Sequence, residues 1–310
     1  MITVLAGGVG AARFLQGLTQ VVPQREIAII ANTGDDAEFF GLHVSPDIDV
    51  VLYHLAGLAN EEQGWGLRGD TFNAVDALAR YGHETWFRLG DADVAACLHR
   101  TNLLRQGRTL AEATAELVTG LGLECTVLPM SNQAIRTKVA TPDGQLDFQE
   151  YFVKFRTEVP VQGLHFEGVE TATPAPGVLE AIRGAAAVII APSNPLLSIG
   201  PILAVAGIRS ALVETQARIA AVSPIVGGSA LKGPADRLLR DLGYEASALE
   251  IGRLYADFLD VLVIDNVDEA LAPEVRGSGL EALVTDTIMS STEKKADLAR
   301  TVLDTLGYAL

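Results

Sequence analysis

The chain has 310 residues, 49% of them hydrophobic and 20% charged, which suits a globular enzyme with a substantial buried core. Its formal net charge is -16, and an acidic surface of this kind excludes partners bound through phosphate backbones or anionic lipids. We therefore expect no nucleic acid and no membrane partner, and no apolar run approaches the ~20 residues of a membrane span.

The first thirty residues have the pattern of a strand, a helix and a second strand. Ile2 to Ala6 is apolar and β-branched, a helical pattern follows from Ala11 to Val22, and Ile27 to Ala31 is again apolar. Neither strand alternates polar with apolar residues, as expected of strands covered on both faces. The pattern predicts a βαβ unit of a parallel sheet.

The middle of the chain departs from this rhythm. From about Val50 to Gly122 the period is mostly helical, and Pro142-Asp143-Gly144 predicts a hairpin turn. Strand-like segments are Cys125–Leu128, Arg136–Ala140 and Leu146–Val153. We predict a helical and β-hairpin insertion at about residues 55–175, within a single domain over residues 1–310.

The α/β rhythm returns in the last third. Further apolar strands are predicted at Ala186–Ala191, Ile219–Val222, Val261–Ile264 and Ala282–Thr285. The predicted fold class is α/β, a Rossmann-like parallel sheet with helices on both faces. Ligands of such sheets bind at the carboxyl ends of the strands, so the loops after residues 6, 31, 191 and 222 should converge on one site.

Gly7-Gly8-Val9-Gly10, between the first strand and the first helix, indicates a phosphate-binding turn. Glycines allow an anion to approach the backbone, and a helix N-terminus offers free N–H groups. No Gly-Lys-Ser/Thr follows, and Arg13 stands where a dinucleotide fingerprint needs a small residue. The alternative is a tight turn without a ligand, and Arg13 either faces the phosphates or caps a surface.

Carboxylates cluster after the second strand, at Asp35-Asp36 and in Pro46-Asp47-Ile48-Asp49. Their repulsion is costly without a cation, and beside a phosphate site the economical explanation is Mg²⁺. We favour functional roles for Asp35 and Asp49. Asp36 and Asp47 stay open between a functional role and a turn or cap role, since Asp47 has the position of an N-cap.

Polar residues at other strand ends are further candidates. Asn32, Ser193-Asn194 and Ser223 are suited to hydrogen-bonding a base or a sugar, or else serve turn chemistry alone. Lys232 is a candidate phosphate partner, and Arg88 either reaches a substrate or faces solvent. The two cysteines form no CxxC and the five histidines show no metal spacing, which is typical of reduced thiols and structural imidazoles in a cytoplasmic protein.

Taken in order, these motifs resemble the 2-phospho-L-lactate transferases of coenzyme F-420 biosynthesis over about residues 1–300. The matching segments begin with GGVGAARF at position 7, NTGDD at 32, SPDIDVVLY at 45, GWG at 64 and LGDAD at 89. They continue with LPMS at 128, FQE at 148, APSNP at 191, SIGP at 198, SPI at 223, DTIM at 286 and STEK at 291.

The resemblance implies transfer of a phosphate-linked three-carbon acid from a guanosine diphosphate carrier to the ribityl hydroxyl of 7,8-didemethyl-8-hydroxy-5-deazariboflavin (Fo), with release of GMP. The acid is derived from 2-phospho-L-lactate, phosphoenolpyruvate or 3-phosphoglycerate. It also implies that Asp49 and Arg88 contact the acceptor and that Asp35 and Asp49 bind the metal. The nucleotide contacts would be the loop of Gly7, Gly8 and Gly10, with Ser193-Asn194 and Ser223.

The resemblance further implies a catalytic role for Asp49 and Asp35, a homodimer and a partner guanylyltransferase that makes the donor. One departure is Ala92, where many members have Arg; Arg13 or Lys232 would have to compensate. A non-catalytic regulatory protein of the same fold that binds sugar nucleotides is the alternative function, and Asp49, Arg88 and Trp65 favour the transferase. A dinucleotide-dependent oxidoreductase is disfavoured by Arg13.

Overall fold

The computed structural model describes residues 1–309. Its strands are β1 (Ile2–Ala6), β2 (Ile27–Ala31), β3 (Ala37–Phe39), β4 (Leu42–Val44), β5 (Thr126–Pro129), β6 (Arg136–Thr141), β7 (Gly144–Asp147), β8 (Gly163–Glu167), β9 (Ala187–Ile190), β10 (Arg218–Val222), β11 (Ile225–Val226), β12 (Ser229–Ala230), β13 (Val261–Asp265) and β14 (Glu281–Thr285).

The α-helices are α1 (Gly8–Leu18), α2 (Pro46–Leu55), α3 (Asn73–Leu78), α4 (Asp91–Arg105), α5 (Leu110–Gly120), α6 (Val178–Arg183), α7 (Gly200–Ala204), α8 (Ile208–Glu214), α9 (Ala235–Asp241), α10 (Ala248–Leu254), α11 (Ala272–Gly277) and α12 (Thr292–Thr305). Two π-helical turns, Glu150–Lys154 and Pro195–Ile199, lie beside the cleft described below.

A seven-stranded parallel sheet in the order β14-β13-β10-β9-β1-β2-β5 forms the centre of the molecule. Strands β1, β2, β9 and β13 are buried along their whole length, because apolar helices cover both faces. The predicted α/β class, with a parallel sheet and helices on both faces, is confirmed.

Alternate residues of β1 belong to two different cores, as the period of two in a strand requires. Val4 packs with α1, α2, α5 and α12 on one face. Leu5 packs with α6, α7, α8, α10 and α11 on the other. The first helix starts three residues before its predicted start, because Gly7 serves as its N-cap.

The predicted insertion at about residues 55–175 is not one continuous excursion. Its residues 126–129 form β5, which pairs in parallel with β2 and closes one edge of the main sheet. The apolar run TVLP therefore belongs to the parallel core, and two separate excursions flank it. The first carries α3 and α4, and the second carries the antiparallel sheet β7-β6-β8.

The hairpin at residues 142–144 is confirmed by the antiparallel pairing of β6 with β7. The strand expected over Leu146–Val153 is wrong beyond Asp147, where the chain enters a π-helical turn. The reason is visible in the spacing: Phe148 and Phe152 stack with their ring centroids 5.4 Å apart, and Phe148 and Tyr151 are buried together. Contacts at intervals of three and four residues are those of a helix.

Within residues 1–309, no single helix combines the length and hydropathy needed to cross a bilayer. The segments Pro195–Ala204 and Ile208–Glu214 reach that length only together, and they are bent by 87° relative to each other.

Candidate active site

A cleft of about 880 Å³ opens at the carboxyl end of the sheet. Strands β1 and β9 lie side by side at its centre, and the chain proceeds from β1 toward one edge and from β9 toward the other. This is the topological switch point of an open α/β sheet, where the loops diverge and leave a crevice. The loops after β1, β2, β9 and β10 all reach the cleft, so the predicted convergence is confirmed.

The glycines after β1 have different tasks. Gly8 has φ +72° and no atom near the place of a side chain, so it supplies a left-handed turn at the open wall of the cleft. A Cβ on Gly10 would lie 2.1 Å from the Pro192 carbonyl oxygen. A Cβ on Gly7 would lie 2.6 Å from Asp47 Oδ2, so Gly7 and Gly10 bring the turn close to its neighbours.

Asp47 holds this glycine turn in place through a hydrogen bond to its backbone. Its Oδ1 accepts a hydrogen bond of 2.9 Å from the Gly8 backbone N–H, and its Oδ2 accepts one of 2.9 Å from Asn32 Nδ2. Asn32 is fully buried, its Oδ1 accepts from Gly34 N, and it does not line the cleft. Asn32 was predicted to hydrogen-bond a base or a sugar. The structure instead places it beneath the cleft, where it holds the Asp47 carboxylate.

Asp35 lines the cleft, and one of its carboxylate oxygens is buried without a hydrogen-bond partner. The residue is 5% exposed, and Oδ1 has no hydrogen bond within residues 1–309. Burial, together with the charges of Asp47 and Asp36, raises the pKa of Asp35 well above its usual range. A buried carboxylate of this kind favours a cation beside it.

Asp49 also lines the cleft, but a guanidinium already holds it. Both of its carboxylate oxygens accept hydrogen bonds from Arg100, one of them from Nη1 over 3.1 Å and the other from Nη2. Burial raises the pKa of Asp49, and the Arg100 charge opposes that rise. Asp35 and Asp49 are thus both on the cleft wall, but only Asp35 presents an oxygen without a hydrogen-bond partner.

A second buried acid stands next to Asp49. Asp93, from the first turn of α4, accepts a hydrogen bond of 2.7 Å from the Tyr53 hydroxyl. Burial, followed by the charge of Asp49, raises the pKa of Asp93 to about 7. One polar atom each of Asp49, Asp93 and Cys97 lie within 4.8 Å of one another. Because Arg100 occupies Asp49, we interpret this group as a buried polar network.

Two cations, Arg13 and Lys232, line the cleft near the glycine turn. Burial and the charge of Arg13 lower the pKa of Lys232. Two positive side chains close together repel each other unless an anion lies between them. They also provide the local positive charge that phosphates require in a chain with a net charge of -16. Lys232 Nζ would lie 3.2 Å from a Cβ on Gly64, so the loop of GWG borders this region.

Apolar and aromatic side chains form the other part of the cleft. Phe148 and Phe152 stack on one side, and Trp65 packs edge-on against Phe72 with ring centroids 6.0 Å apart. Arg88, which the resemblance implies to contact the acceptor, lies on the cleft wall. Its guanidinium sits 4.8 Å above the ring of Phe72, and Nη1 donates over 2.6 Å to Asp76.

Ser193, Asn194 and Ser223 line the cleft, as predicted. Ser193 Oγ accepts a hydrogen bond of 3.3 Å from Gly7 N, and Asn194 Oδ1 accepts from two backbone N–H groups of the following turn. Ser223 Oγ donates to the carbonyl oxygen of Ile225. Ser193 thus joins its loop to the glycine turn, whereas Asn194 and Ser223 shape their own loops.

Residues 2–304 match the sequence profile of a family described as 2-phospho-L-lactate transferase CofD.

The chain belongs to the CofD family.

Two similar proteins carry different transferase names. A phosphoenolpyruvate transferase of Streptomyces griseus subsp. griseus is 43% identical to this CofD-family chain over 309 residues, covering 98% of this chain and 97% of that protein. A 2-phospho-L-lactate transferase of Methanocaldococcus jannaschii is 41% identical over 311 residues, covering 99% and 98%. The CofD-family chain is accordingly a transferase.

A crystal structure of a upf0052-family protein from Bacillus halodurans has the same fold, with a TM-score of 0.68 over 97% of this chain and 99% of that one. Its sequence is 17% identical, so the likeness concerns the fold alone.

Residue patterns missed several groups in the site of the CofD-family chain. Arg100 and Phe152 lie on segments whose helical pattern or apolar character gave no sign of a cleft, and Asp93 lies in the LGDAD segment without having been assigned a role. For Arg100, the sequence shows only an Arg in the middle of a predicted helix. Its complete burial became visible in the structure. Ala92 is exposed and does not line the cleft, so an Arg at this position would begin on the outer face of α4.

Proposed function

We propose that this chain transfers a phosphate-linked three-carbon acid from a guanosine diphosphate carrier to the terminal ribityl hydroxyl of Fo, in coenzyme F-420 biosynthesis. One observation carries the proposal. A single cleft combines a glycine turn at a helix N-terminus, three cationic side chains and four buried carboxylates with an aromatic wall. Such a cleft can hold a diphosphate and a flat ring system side by side.

The donor would occupy the part of the cleft nearest β1. The positive end of the α1 dipole and the cations Arg13 and Lys232 suit a diphosphate, because they offset its charge although the protein as a whole is acidic. The N–H groups of Gly7 and Gly8 are already bound by Ser193 and Asp47, so they hold the turn in place. Ser193, Asn194 and Ser223 follow from the neighbouring strands β9 and β10, and their position supports contacts with the nucleoside.

Of the two proposed magnesium ligands, Asp35 and Asp49, Asp35 is better suited to bind the ion. Asp35 has a buried carboxylate oxygen without a partner, beside the glycine turn, and carboxylate oxygen is the ligand type that Mg²⁺ prefers. When bound, the ion would offset charge on the diphosphate. Asp49, whose oxygens are engaged by Arg100, would take part by its charge or through a free lone pair.

The acceptor would lie along the aromatic part of the cleft. The stacked pair Phe148 and Phe152, together with Trp65, offers flat apolar surfaces for a deazaflavin ring. Arg88 and Asp49 would then hold the polar ribityl chain, with its terminal hydroxyl directed toward the donor phosphorus.

In the reaction, the ribityl hydroxyl oxygen forms a bond with the β-phosphorus while the bond from that phosphorus to the bridging oxygen of GMP breaks. The hydroxyl proton passes to Asp49 or to water, and GMP leaves with the bonding electrons. Catalysis would depend on position and charge, because phosphoryl transfer requires little covalent help from the protein.

Product analysis by mass spectrometry tests the proposal. Purified protein is incubated with Fo, GTP, Mg²⁺, a guanylyltransferase of this pathway and, in separate reactions, each of the three acids. We expect one acid to yield a phosphodiester of Fo with GMP in equal amount. Asp49→Asn should fold with a lower melting temperature, because the buried Arg100 loses its partner. At a temperature where the variant is folded, turnover should be at least ~100-fold lower, because the hydroxyl loses its anionic partner.

Reactions with EDTA provide a control for the metal and should give little product. Absence of an Fo adduct with all three acids, or full turnover by Asp49→Asn, would contradict the proposal. We further propose that the enzyme acts as a homodimer, which light scattering of the purified chain checks.

A further inference from the structure

The strongest feature outside the predicted site residues is the side chain of Arg100. It is the largest side chain that is fully buried within residues 1–309, and it comes from the middle of α4. Its guanidinium reaches the cleft wall only through Asp49, because Arg100 itself does not line the cleft. Any effect it has on a substrate must pass through that carboxylate.

The two groups meet in the paired geometry that guanidinium and carboxylate favour. Nη1 donates to Oδ2 of Asp49 and Nη2 donates to Oδ1, so both carboxylate oxygens are fixed in one plane. Nη1 also donates over 3.3 Å to the backbone oxygen of His43, which anchors the guanidinium to the segment before α2. The carboxylate consequently has one orientation toward the cleft.

This pair differs from the other Arg and Lys ion pairs of residues 1–309. The Arg100 side chain is 0% exposed and that of Asp49 is 7% exposed, whereas each of the others includes a partner that is substantially exposed. A buried ion pair contributes little net stability compared with apolar packing, because both charges lose their hydration. Stability alone is therefore a weak reason for its presence at a cleft wall.

The neighbouring acid makes a fixed orientation necessary. Asp93 lies within 4.8 Å of Asp49 and would repel it when both are ionised. Tyr53 holds Asp93 by a hydrogen bond, and Arg100 holds Asp49. Without the guanidinium, the Asp49 carboxylate would be free to turn away from Asp93 and out of line with the acceptor.

We propose that Arg100 is a positioning residue, which sets the direction in which Asp49 meets the acceptor hydroxyl. The inference rests on the proposed function, in which Asp49 holds the ribityl chain. The guanidinium acts through two parallel hydrogen bonds, and a lysine, which has the charge but one nitrogen, cannot reproduce them.

A double-mutant cycle tests the inference by calorimetric measurement of Fo binding to the wild type, Arg100→Lys, Asp49→Asn and the double variant. We expect Arg100→Lys to weaken Fo binding about tenfold, or ~1.4 kcal/mol, in the wild-type background. In the Asp49→Asn background the same change should alter the affinity less than twofold, since the carboxylate through which it acts is gone.

Arg105→Lys is the matched control, because Arg105 lies on the same helix and donates to the Gly41 carbonyl oxygen outside the cleft. It should leave the affinity unchanged. Equal losses in both backgrounds would show a general structural role and overturn the inference, as would wild-type affinity in Arg100→Lys. Failure of the wild type to bind Fo would instead contradict the proposed function.

If Arg100→Lys does not fold, Asp49→Glu tests the same point with Arg100 intact. The extra methylene displaces the carboxylate while its charge remains, so we expect Fo binding to weaken at least tenfold in a variant that is still folded at the temperature of the measurement. Wild-type affinity in Asp49→Glu would overturn the inference.

Discussion

Asp93 and Asp49 are neighbours with different partners. Asp49 is fixed by a guanidinium, whereas Asp93 accepts a hydrogen bond from the Tyr53 hydroxyl. Burial, and then the negative charge of Asp49, raises the pKa of Asp93 to about 7 from its ordinary value of 3.8. The folded protein therefore keeps a proton on Asp93 at pH values where the unfolded chain has lost it. The resulting stability is complete below pH 3.8, declines above it and is lost once the pH passes 7.

Asp93→Asn should remove this dependence on pH. The amide can still accept the hydrogen bond from Tyr53 without ionising, so the stability of the variant relative to the wild type should rise by about 2 kcal/mol between about pH 5 and about pH 8. Urea unfolding at both pH values measures the difference, and a difference that does not change with pH would contradict the assignment.

Lys232 provides a test of the donor side of the cleft. Burial and the nearby charge of Arg13 lower its pKa, so an anion between the two side chains would relieve the repulsion. Lys232→Met should weaken GDP binding about tenfold, or ~1.4 kcal/mol, and should make the affinity less dependent on salt.

Lys138→Met is the comparison for that experiment, because Lys138 lies on β6 and pairs with Asp147 outside the cleft. Its affinity for GDP should equal that of the wild type. If Lys232→Met also binds GDP with unchanged affinity, the phosphates do not lie where we propose.

The packing of α1 against the loop after β9 depends on the absence of a side chain at Gly10. A Cβ there would come within 2.1 Å of the Pro192 carbonyl oxygen, which is backbone and cannot turn aside. The two elements that carry the glycine turn and Ser193-Asn194 would have to separate. The close contact between α1 and the loop after β9 therefore affects the geometry of the cleft as well as the stability of the core.

Gly10→Ala should accordingly lower the free energy of unfolding by about 2 kcal/mol or more. Gly120→Ala is the matched control, since Gly120 ends α5 and a Cβ on it would have no neighbouring atom within 4 Å, so alanine there should be neutral or slightly stabilising. Chemical denaturation of both variants decides the matter; equal stabilities would mean that the loop moves freely to accommodate α1.

At the scale of elements, the sequence predicted those strands that are uniform in character. Runs such as Ile27–Ala31 and Val261–Ile264 are apolar throughout, because helices cover them on both sides. Strand β5 is only partly buried and stands between helices and a hairpin, so its membership of the main sheet depends on a pairing with β2 that is distant in sequence. The π-helical turn at Glu150–Lys154 was hidden because aromatic residues suit strands as well.

Site residues, too, were predicted where local sequence marks them and missed where they depend on contacts between distant parts of the chain. Glycines and carboxylates directly after a strand are recognisable, because the carboxyl edge of a parallel sheet is a known place for ligands. The bond between Arg100 and Asp49 joins residues 51 positions apart on two different helices. Local pattern contains no information about which of several helical arginines turns inward, so this contact required the structure.

At the scale of the whole molecule, the position of β1 has a consequence for how the protein is made. These residues are synthesised before both of their partners, yet they form the middle of the sheet, paired to β2 about 25 positions later and to β9 about 185 positions later. The crevice between β1 and β9 cannot exist until the second partner has been synthesised, so a nascent chain has to keep a mostly apolar strand covered in the meantime.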